Sequence, residues 1–221
     1  MITVHHLEDS RSQRVLWLLE ELEIDYKIIR YERDPVTSLA PPALYDVHPL
    51  GKAPVITDDD IVVAETGAIF DYLLQTYDAE GNFHPLTASQ EQREHRYWLH
   101  YAEGSAMTNL LLKLIFTRLP ERAPWVMRAF VKGVADRAQT GFIDPRVSEH
   151  AAWWNDNLKA TGHFVGDSLS AADIMMSFPI EALRSRADLT PWPALSEFLD
   201  RIHARKAYKL ALEPGGDYAY A

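Results

Sequence analysis

The chain has 221 residues, of which 47% are hydrophobic and 24% are charged, so it can bury a core and is not intrinsically disordered. Lys and Arg number 22 against 32 Asp and Glu, and the net charge of −10 argues against a nucleic-acid or anionic-membrane partner, because both need a basic surface. The sequence has no cysteine, which excludes disulfides, thiolate metal sites and a protein thiol as nucleophile.

The first third of the chain predicts a mixed four-stranded sheet. A strand–helix–strand unit implies parallel pairing, whereas the aspartate turn at 58–60 implies that the last two strands are antiparallel. Alternating apolar residues mark the strands, and apolar residues at helical spacing mark the helices. The predicted elements are strand 2–7, a helix reaching residue 22, strand 26–31, a short helix 41–47, strands 55–57 and 61–64, and a helix that begins at 65.

The rest of the chain predicts helices alone, after a linker over 77–89. Pro179 is expected to bend or end the fourth of them, and the tail from Glu213 is expected to be irregular. We therefore predict an α/β domain at 1–78 and an all-helical domain at 88–221. The predicted helices span 90–116, interrupted by Pro120 and Pro124, and then 125–142, 145–158, 170–186 and 193–204.

Two local patterns concern the ends of helices. Ser170 and Asp173 match a capping box, which we interpret as structural. Glu65 and Thr66 begin a helix directly after a strand, where free backbone N–H groups and the helix dipole favour a carboxylate or phosphate ligand. The stretch 48–69 therefore predicts a site for a small anionic ligand, although an acid such as Glu65 also serves simply to complement the helix dipole.

The order of motifs along the whole chain resembles that of the glutathione transferases. The resemblance implies a thioredoxin-like βαβαββα N-terminal domain followed by an all-helical bundle, and a soluble cytoplasmic homodimer. The sequence contains neither an 18-residue apolar run nor a leader-like segment, so nothing in it argues against a cytoplasmic location. The motifs are Pro-Leu-Gly-Lys-Ala-Pro-Val at 49–55, Glu-Thr-Gly-Ala-Ile at 65–69, Gly-Asp-Ser-Leu-Ser-Ala-Ala-Asp-Ile at 166–174, and the helix-like run at 10–22.

The resemblance implies that a hydrogen-bond donor stabilises the thiolate of glutathione, the co-substrate. Members of the family use tyrosine, serine or cysteine, but this chain has no cysteine and no tyrosine directly after its first strand. Ser10 matches the place of the active serine, with Ser12 as the second candidate and a plain helix cap as its alternative role. Arg11 could add positive field beside the thiolate.

The same resemblance implies the contacts with the rest of glutathione. The backbone of Ala53 would bind its cysteinyl part, and Lys52 would bind its glycine carboxylate. Glu65 would take the ammonium of the γ-glutamyl group, and Thr66 its α-carboxylate. The family has a cis bond before the residue equivalent to Pro54, whereas the sequence alone is equally compatible with a trans proline at an edge strand.

The implied reaction is conjugation of glutathione to small hydrophobic electrophiles. The alternatives are a glutathione-dependent peroxidase or disulfide reductase, and a non-catalytic binding or scaffold protein. Met107 and Leu111 on the long helix are candidates for contact with the electrophile, and Glu103 for contact across a dimer interface. The histidines show no spacing that indicates a ligand set, so we predict no metal.

Overall fold

A four-stranded sheet in the order β2-β1-β3-β4 forms the N-terminal part of the protein. The computed structural model describes residues 1–86 and 89–220. Strand β1 is parallel to β2 and antiparallel to β3, and β3 is antiparallel to β4, which confirms the predicted mixed sheet. The elements are β1 Ile2–Leu7, α1 Ser12–Glu21, β2 Tyr26–Tyr31, a 3-10 helix Pro42–Asp46, β3 Val55–Asp58, β4 Ile61–Ala64 and α2 Thr66–Tyr77.

The described residues beyond Ser89 form helices, turns and loops. Two π-helical turns, Ala102–Ala106 and Gln139–Ile143, interrupt the longest runs. The thioredoxin-like fold with a helical second part is thereby confirmed. The helices are α3 Gln90–Tyr101, α4 Met107–Arg122, a 3-10 turn Trp125–Met127, α5 Arg128–Ala138, α6 Asp144–Thr161, α7 Ala171–Arg184, α8 Pro193–His203 and α9 Lys206–Gly215.

Two expectations about helix ends were wrong, those at Pro120 and at the C-terminal tail. Helix α4 continues past Pro120 to Arg122. Of the two alternatives at Pro179, a bend or an early end, the early end is excluded, because α7 continues to Arg184. In α7 nearly every residue is buried, and packing on both sides outweighs the hydrogen bond that the proline removes. Residues 213–215, expected to be irregular, are the last turn of α9, which packs along α1 and buries Tyr208 and Ala211.

The predicted capping box forms at the start of α7. The Asp173 carboxylate accepts hydrogen bonds from the backbone N–H groups of Ser170 and Phe164, both at 2.8 Å. Two residues of the predicted linker, Thr87 and Ala88, lie outside the described residues, as does Ala221 at the end of the predicted second domain. Across the described ranges, no helix is long and apolar enough to cross a membrane.

Candidate active site

A cleft of about 590 Å³ lies where the loops of the sheet meet the helical part of the chain. The loop after β1, the segment before β3 and the start of α2 line most of one side of the cleft. Helices α4 and α7 and the π-turn before α4 close the other side. The lining residues include Asp9, Ser10, Arg11, Arg33, Leu39, Tyr45, His48, Lys52, Ala53, Pro54, Glu65, Thr66, Glu103, Leu111 and Phe178.

Six of the seven site residues predicted from the sequence line this cleft, and Ser12 does not. The loop after β1 carries Ser10, because the left-handed backbone of Asp9 (φ 46°) turns the chain into α1. Ser10 is 6% exposed, and its hydroxyl accepts the backbone N–H of Ser12 at 3.2 Å. It therefore satisfies one of the free N–H groups of α1 while facing the cleft. The other five lining residues are Lys52, Ala53, Pro54, Glu65 and Thr66.

Ser12 lies behind Ser10 and has no exposed surface. Its Oγ is 2.7 Å from the Oγ of Ser10 and 2.9 Å from Nδ1 of His6. It also bonds both backbone groups of Leu7, accepting from the N–H at 3.3 Å and donating to the carbonyl oxygen at 3.2 Å. Protein groups surround the Ser12 hydroxyl, so the structure favours its alternative role within the protein, and its contact with a ligand stays a prediction.

The segment before β3 presents Lys52 and Ala53 to the cleft. The peptide bond between Ala53 and Pro54 is cis. Gly51 has a φ of 54°, and a Cβ at this position would come within 2.7 Å of the Tyr45 ring. Only glycine combines this backbone with this approach of the ring, so Gly51 sets the course of the chain into Lys52.

Glu65 and Thr66 form the entry of α2. Glu65 adopts a φ of 72°, which is costly for a residue with a side chain, and it sits just before the first helical residue. Such backbone outliers concentrate at ligand sites, where the surrounding structure holds them. Thr66 is 3% exposed, and the Glu65 side chain is solvent-exposed at the rim. Glu65 and Thr66 both line the cleft, and the free N–H groups at the start of a helix suit an anionic group.

An ion network joins α1 to the helical part of the chain beneath the cleft. The Glu103 carboxylate accepts hydrogen bonds from Nε of Arg11 at 2.7 Å and from the guanidinium of Arg14. Arg14 is buried, and it also donates to the carbonyl of Met175 at 2.6 Å. Burial alone would raise the pKa of Glu103, but Arg14 and Arg11 lower it below its ordinary value. Both carboxylate oxygens of Glu103 engage arginines of its own chain, and its contact across a dimer interface stays a prediction.

Arg33 also lines the cleft, although no sequence pattern assigned it a role. Its guanidinium donates to the carbonyls of Glu8 at 3.3 Å, Asp9 at 3.4 Å and Ser38 at 3.1 Å. It thus braces the loop that carries Ser10 and adds a second guanidinium to the lining. No local pattern identifies it, because its partners come together only when β1 and β2 pair.

The apolar side of the cleft contains Leu111 and Phe178. Arg11 and Arg14 lie over the Phe178 ring, 5.4 Å and 5.2 Å from its centroid. Met107, expected beside Leu111, is 5% exposed and packs into the core instead. Within residues 1–86 and 89–220, no group of three or more histidines and carboxylates is placed to hold a metal ion.

Comparisons with known proteins find similar sequences along most of the chain. A family model described as the glutathione S-transferase N-terminal domain matches residues 1–75, and one described as the glutathione S-transferase C-terminal domain matches residues 122–211. Glutathione S-transferase 1 of Saccharomyces cerevisiae is 32% identical, covering 96% of this chain and 94% of its own. Glutathione S-transferase 3 of Schizosaccharomyces pombe is 31% identical, covering 96% and 87%.

Solved structures give the same result. A glutathione S-transferase from Actinobacillus pleuropneumoniae superimposes with a TM-score of 0.82 at 30% identity, covering 100% of this chain and 95% of its own. A glutathione transferase homologue from Lodderomyces elongisporus, crystallised with two glutathione molecules per subunit, has a TM-score of 0.77 at 19% identity, covering 96% and 97%. At that identity, the second likeness concerns the fold alone.

Proposed function

The chain belongs to the glutathione S-transferase family, and we propose that it conjugates the thiolate of glutathione to small hydrophobic electrophiles. One observation carries the proposal. The hydroxyl of Ser10 faces a cleft that is also lined by charged groups of both signs, as glutathione requires, and by apolar side chains. Glutathione carries two carboxylates and one ammonium around its thiol, and the electrophile needs an apolar surface beside them.

We assign the glutathione contacts by charge and position. Lys52 pairs with the glycine carboxylate, and the backbone of Ala53 bonds the cysteinyl unit. Glu65 pairs with the γ-glutamyl ammonium. The α-carboxylate of that unit meets the Thr66 hydroxyl and the N-terminus of α2, where free N–H groups favour an anion.

Ser10 is the proposed catalytic residue. A hydrogen bond from its hydroxyl to sulfur stabilises the thiolate and lowers the pKa of the glutathione thiol, which is about 8.5 for a free thiol. The guanidinium of Arg11, next to Ser10, adds positive field in the same direction. The thiolate then attacks an electrophile held against Leu111 and Phe178, so that a C–S bond forms as the leaving group departs with its electron pair.

We propose residues 1–78 as the glutathione-binding domain and 88–221 as the helical domain that supplies the electrophile site. We also propose that two copies of the chain associate. Several large apolar side chains remain exposed, among them Trp125 at 82% and Phe130 at 71%, and such surface is typical of interfaces. Sedimentation equilibrium tests this, since a mass of one chain at micromolar concentration would contradict the dimer.

Two measurements test the function as a whole. Retention on immobilised glutathione, with elution by free glutathione, tests recognition, and a protein that flows through would favour a scaffold. Steady-state rates with an aryl halide, an organic hydroperoxide and a mixed disulfide then separate the reactions. We expect the aryl halide to be the best substrate; a protein active only on the hydroperoxide or the disulfide would be a peroxidase or a reductase instead.

A further inference from the structure

The guanidinium of Arg11 lies between the two halves of the cleft. Arg11 follows Ser10 directly in the chain, and its guanidinium carbon is 5.4 Å from the centroid of the Phe178 ring. All three residues line the cleft. The positive charge therefore stands between the proposed partner of the thiolate and the apolar surface proposed for the electrophile.

Contacts on two sides hold this guanidinium in place. Its Nε donates to Oε2 of Glu103 at 2.7 Å, and the Phe178 ring lies against it. The other oxygen of Glu103 accepts from buried Arg14, which ties the carboxylate to the protein interior. A planar guanidinium that is both ion-paired and stacked on a ring keeps a defined orientation.

The remaining donors of Arg11 are free for a ligand. A guanidinium has five N–H groups, and Nε accounts for one. Among residues 1–86 and 89–220, no acceptor takes a hydrogen bond from either Nη atom of Arg11, and its side chain is 35% exposed. Arg14 and Arg33, by contrast, donate from both Nη atoms to acceptors of the protein. The network of Arg11, Arg14 and Glu103 also has one net positive charge, which favours an oxygen that becomes negative.

We propose that Arg11 binds the oxygen of electrophiles in which a carbonyl is conjugated to the reactive carbon, so that α,β-unsaturated carbonyl compounds are a substrate class of this cleft. The inference rests on the proposed function, since it needs the glutathione thiolate at Ser10. The apolar part of the electrophile lies against Leu111 and Phe178, and the Nη groups of Arg11 donate to its carbonyl oxygen. An alkyl halide has no oxygen for this contact.

The reaction at such a substrate is an addition. The thiolate attacks the β-carbon and forms a C–S bond, the electron pair of the C=C bond shifts toward the carbonyl carbon, and the carbonyl pair moves onto oxygen to give an enolate. The α-carbon then takes a proton from water, and the C=O bond forms again. The hydroxide left by that water is neutralised by the proton that the thiol released. No leaving group departs, and no oxidant or reductant is needed.

Arg11 suits the transition state of this addition better than its ground state. Negative charge leaves sulfur during the attack and collects on the carbonyl oxygen, so hydrogen bonds from the Nη groups strengthen as the C–S bond forms. The guanidinium stays protonated throughout. Because Glu103 and Phe178 already hold it, little reorganisation is needed at the moment of reaction.

The test uses Arg11→Lys, which keeps the positive charge but removes the planar fork of donors. The substrates are benzylideneacetone, a phenyl-substituted enone, and benzyl chloride, which has the same ring and no oxygen. Both consume the same thiolate, so any change in the thiol pKa cancels in the ratio of their kcat/KM values. We expect that ratio to fall about tenfold or more. This is less than for outright loss of an oxyanion donor, because the lysine ammonium still donates.

Arg146→Lys is the matched control. Arg146 in α6 also lies over a phenylalanine ring, 5.9 Å from the centroid of Phe142, and bonds Glu149 at 3.3 Å, but it is not among the residues that line the cleft. The ratio should be the same in this variant as in the wild type.

The wild type decides the matter if Arg11→Lys fails to fold, which far-ultraviolet circular dichroism would reveal. Each kcat/KM is then divided by the rate constant for the free glutathione thiolate, and we expect an acceleration at least about tenfold greater for the enone than for benzyl chloride. An unchanged ratio in folded Arg11→Lys, or, where that variant does not fold, equal acceleration of the two substrates, would overturn the inference. Failure of the proposed function looks different, since the wild type would then conjugate neither substrate.

Discussion

The wall of the cleft and its floor are built in different ways. The wall, residues 51–54 and 65–66, holds exposed charges on a backbone set by Gly51 and by the left-handed Glu65. The floor, from Ser10 to Arg14 with His6 and Glu103, is largely buried and joined by hydrogen bonds and ion pairs between distant parts of the chain. The exposed wall suits recognition of a charged ligand from solvent. The buried floor contains residues that serve the proposed reaction and residues that stabilise the fold, joined in one network.

Ser10→Ala should give the largest effect and test the floor most directly. Without a hydroxyl to donate to sulfur, we expect kcat/KM for an aryl halide to fall about 100-fold, by analogy with loss of one donor to a developing oxyanion. Binding of S-methylglutathione should be unchanged, because that ligand forms no thiolate. An unaltered rate would mean that another group stabilises the thiolate.

Glu103→Gln should show that the floor also holds the fold together. It leaves buried Arg14 without its carboxylate, and we expect the free energy of unfolding in urea to fall by about 2 kcal/mol, less than for a fully buried pair because Glu103 is partly exposed. Glu121→Gln, at an exposed position of α4, is the matched control and should be neutral. Equal stability of the two variants would show that the network contributes little.

The same variant has a defined pH dependence. Arg14 and Arg11 lower the pKa of Glu103 in the folded protein below its ordinary 4.5, so its contribution to stability is complete above that value and is lost as the pH falls through the folded pKa. The stability difference between wild type and Glu103→Gln should therefore be constant near pH 7 and shrink below about pH 4. A difference that grows on acidification would contradict this assignment.

This contrast also explains what the sequence could reveal. Lys52, Glu65 and Thr66 belong to short motifs that lie close together in the sequence, and the structure brings all three to one cleft. Arg14 and Glu103 are 89 residues apart, and no local pattern pairs them. The depth of Ser12 likewise depends on how α1 packs beneath the sheet, which the motif at 10–22 does not encode.

Helix α9 and Pro179 show, within the fold, that a local sequence pattern does not reveal contacts with distant parts of the chain. The last residues of α9 are Glu213, Pro214 and Gly215, a composition that predicts irregular chain. Its helix exists because it covers α1, a contact between the two ends of the sequence. Tertiary packing overrides local propensity at both places, whereas the mixed sheet and the capping box at Ser170 follow from local signals that packing reinforces.

Glu65→Gln tests the wall by removing a charge without changing size. We expect the Kd for glutathione to rise about tenfold, the scale of a charge-assisted hydrogen bond, with kcat nearly unchanged. The stability should also stay unchanged, because the side chain is exposed. Glu197→Gln on the outer face of α8 is the control. A fall in kcat at saturating glutathione would indicate that wall and floor act as one unit.

Lys52→Met should give the smallest effect and the sharpest view of the difference between wall and floor. Lys52 is exposed, so its attraction for the glycine carboxylate of glutathione is screened, and we expect the Kd to rise only about threefold at moderate salt. The difference in Kd from wild type should diminish further as salt is added. The effect of Ser10→Ala on kcat should instead be insensitive to salt, because Ser10 is buried and neutral.

Lys27→Met on the exposed side of β2 controls for net charge. If Lys52→Met lowered kcat, or if its effect persisted in high salt, then the wall would share the buried, coupled character of the floor.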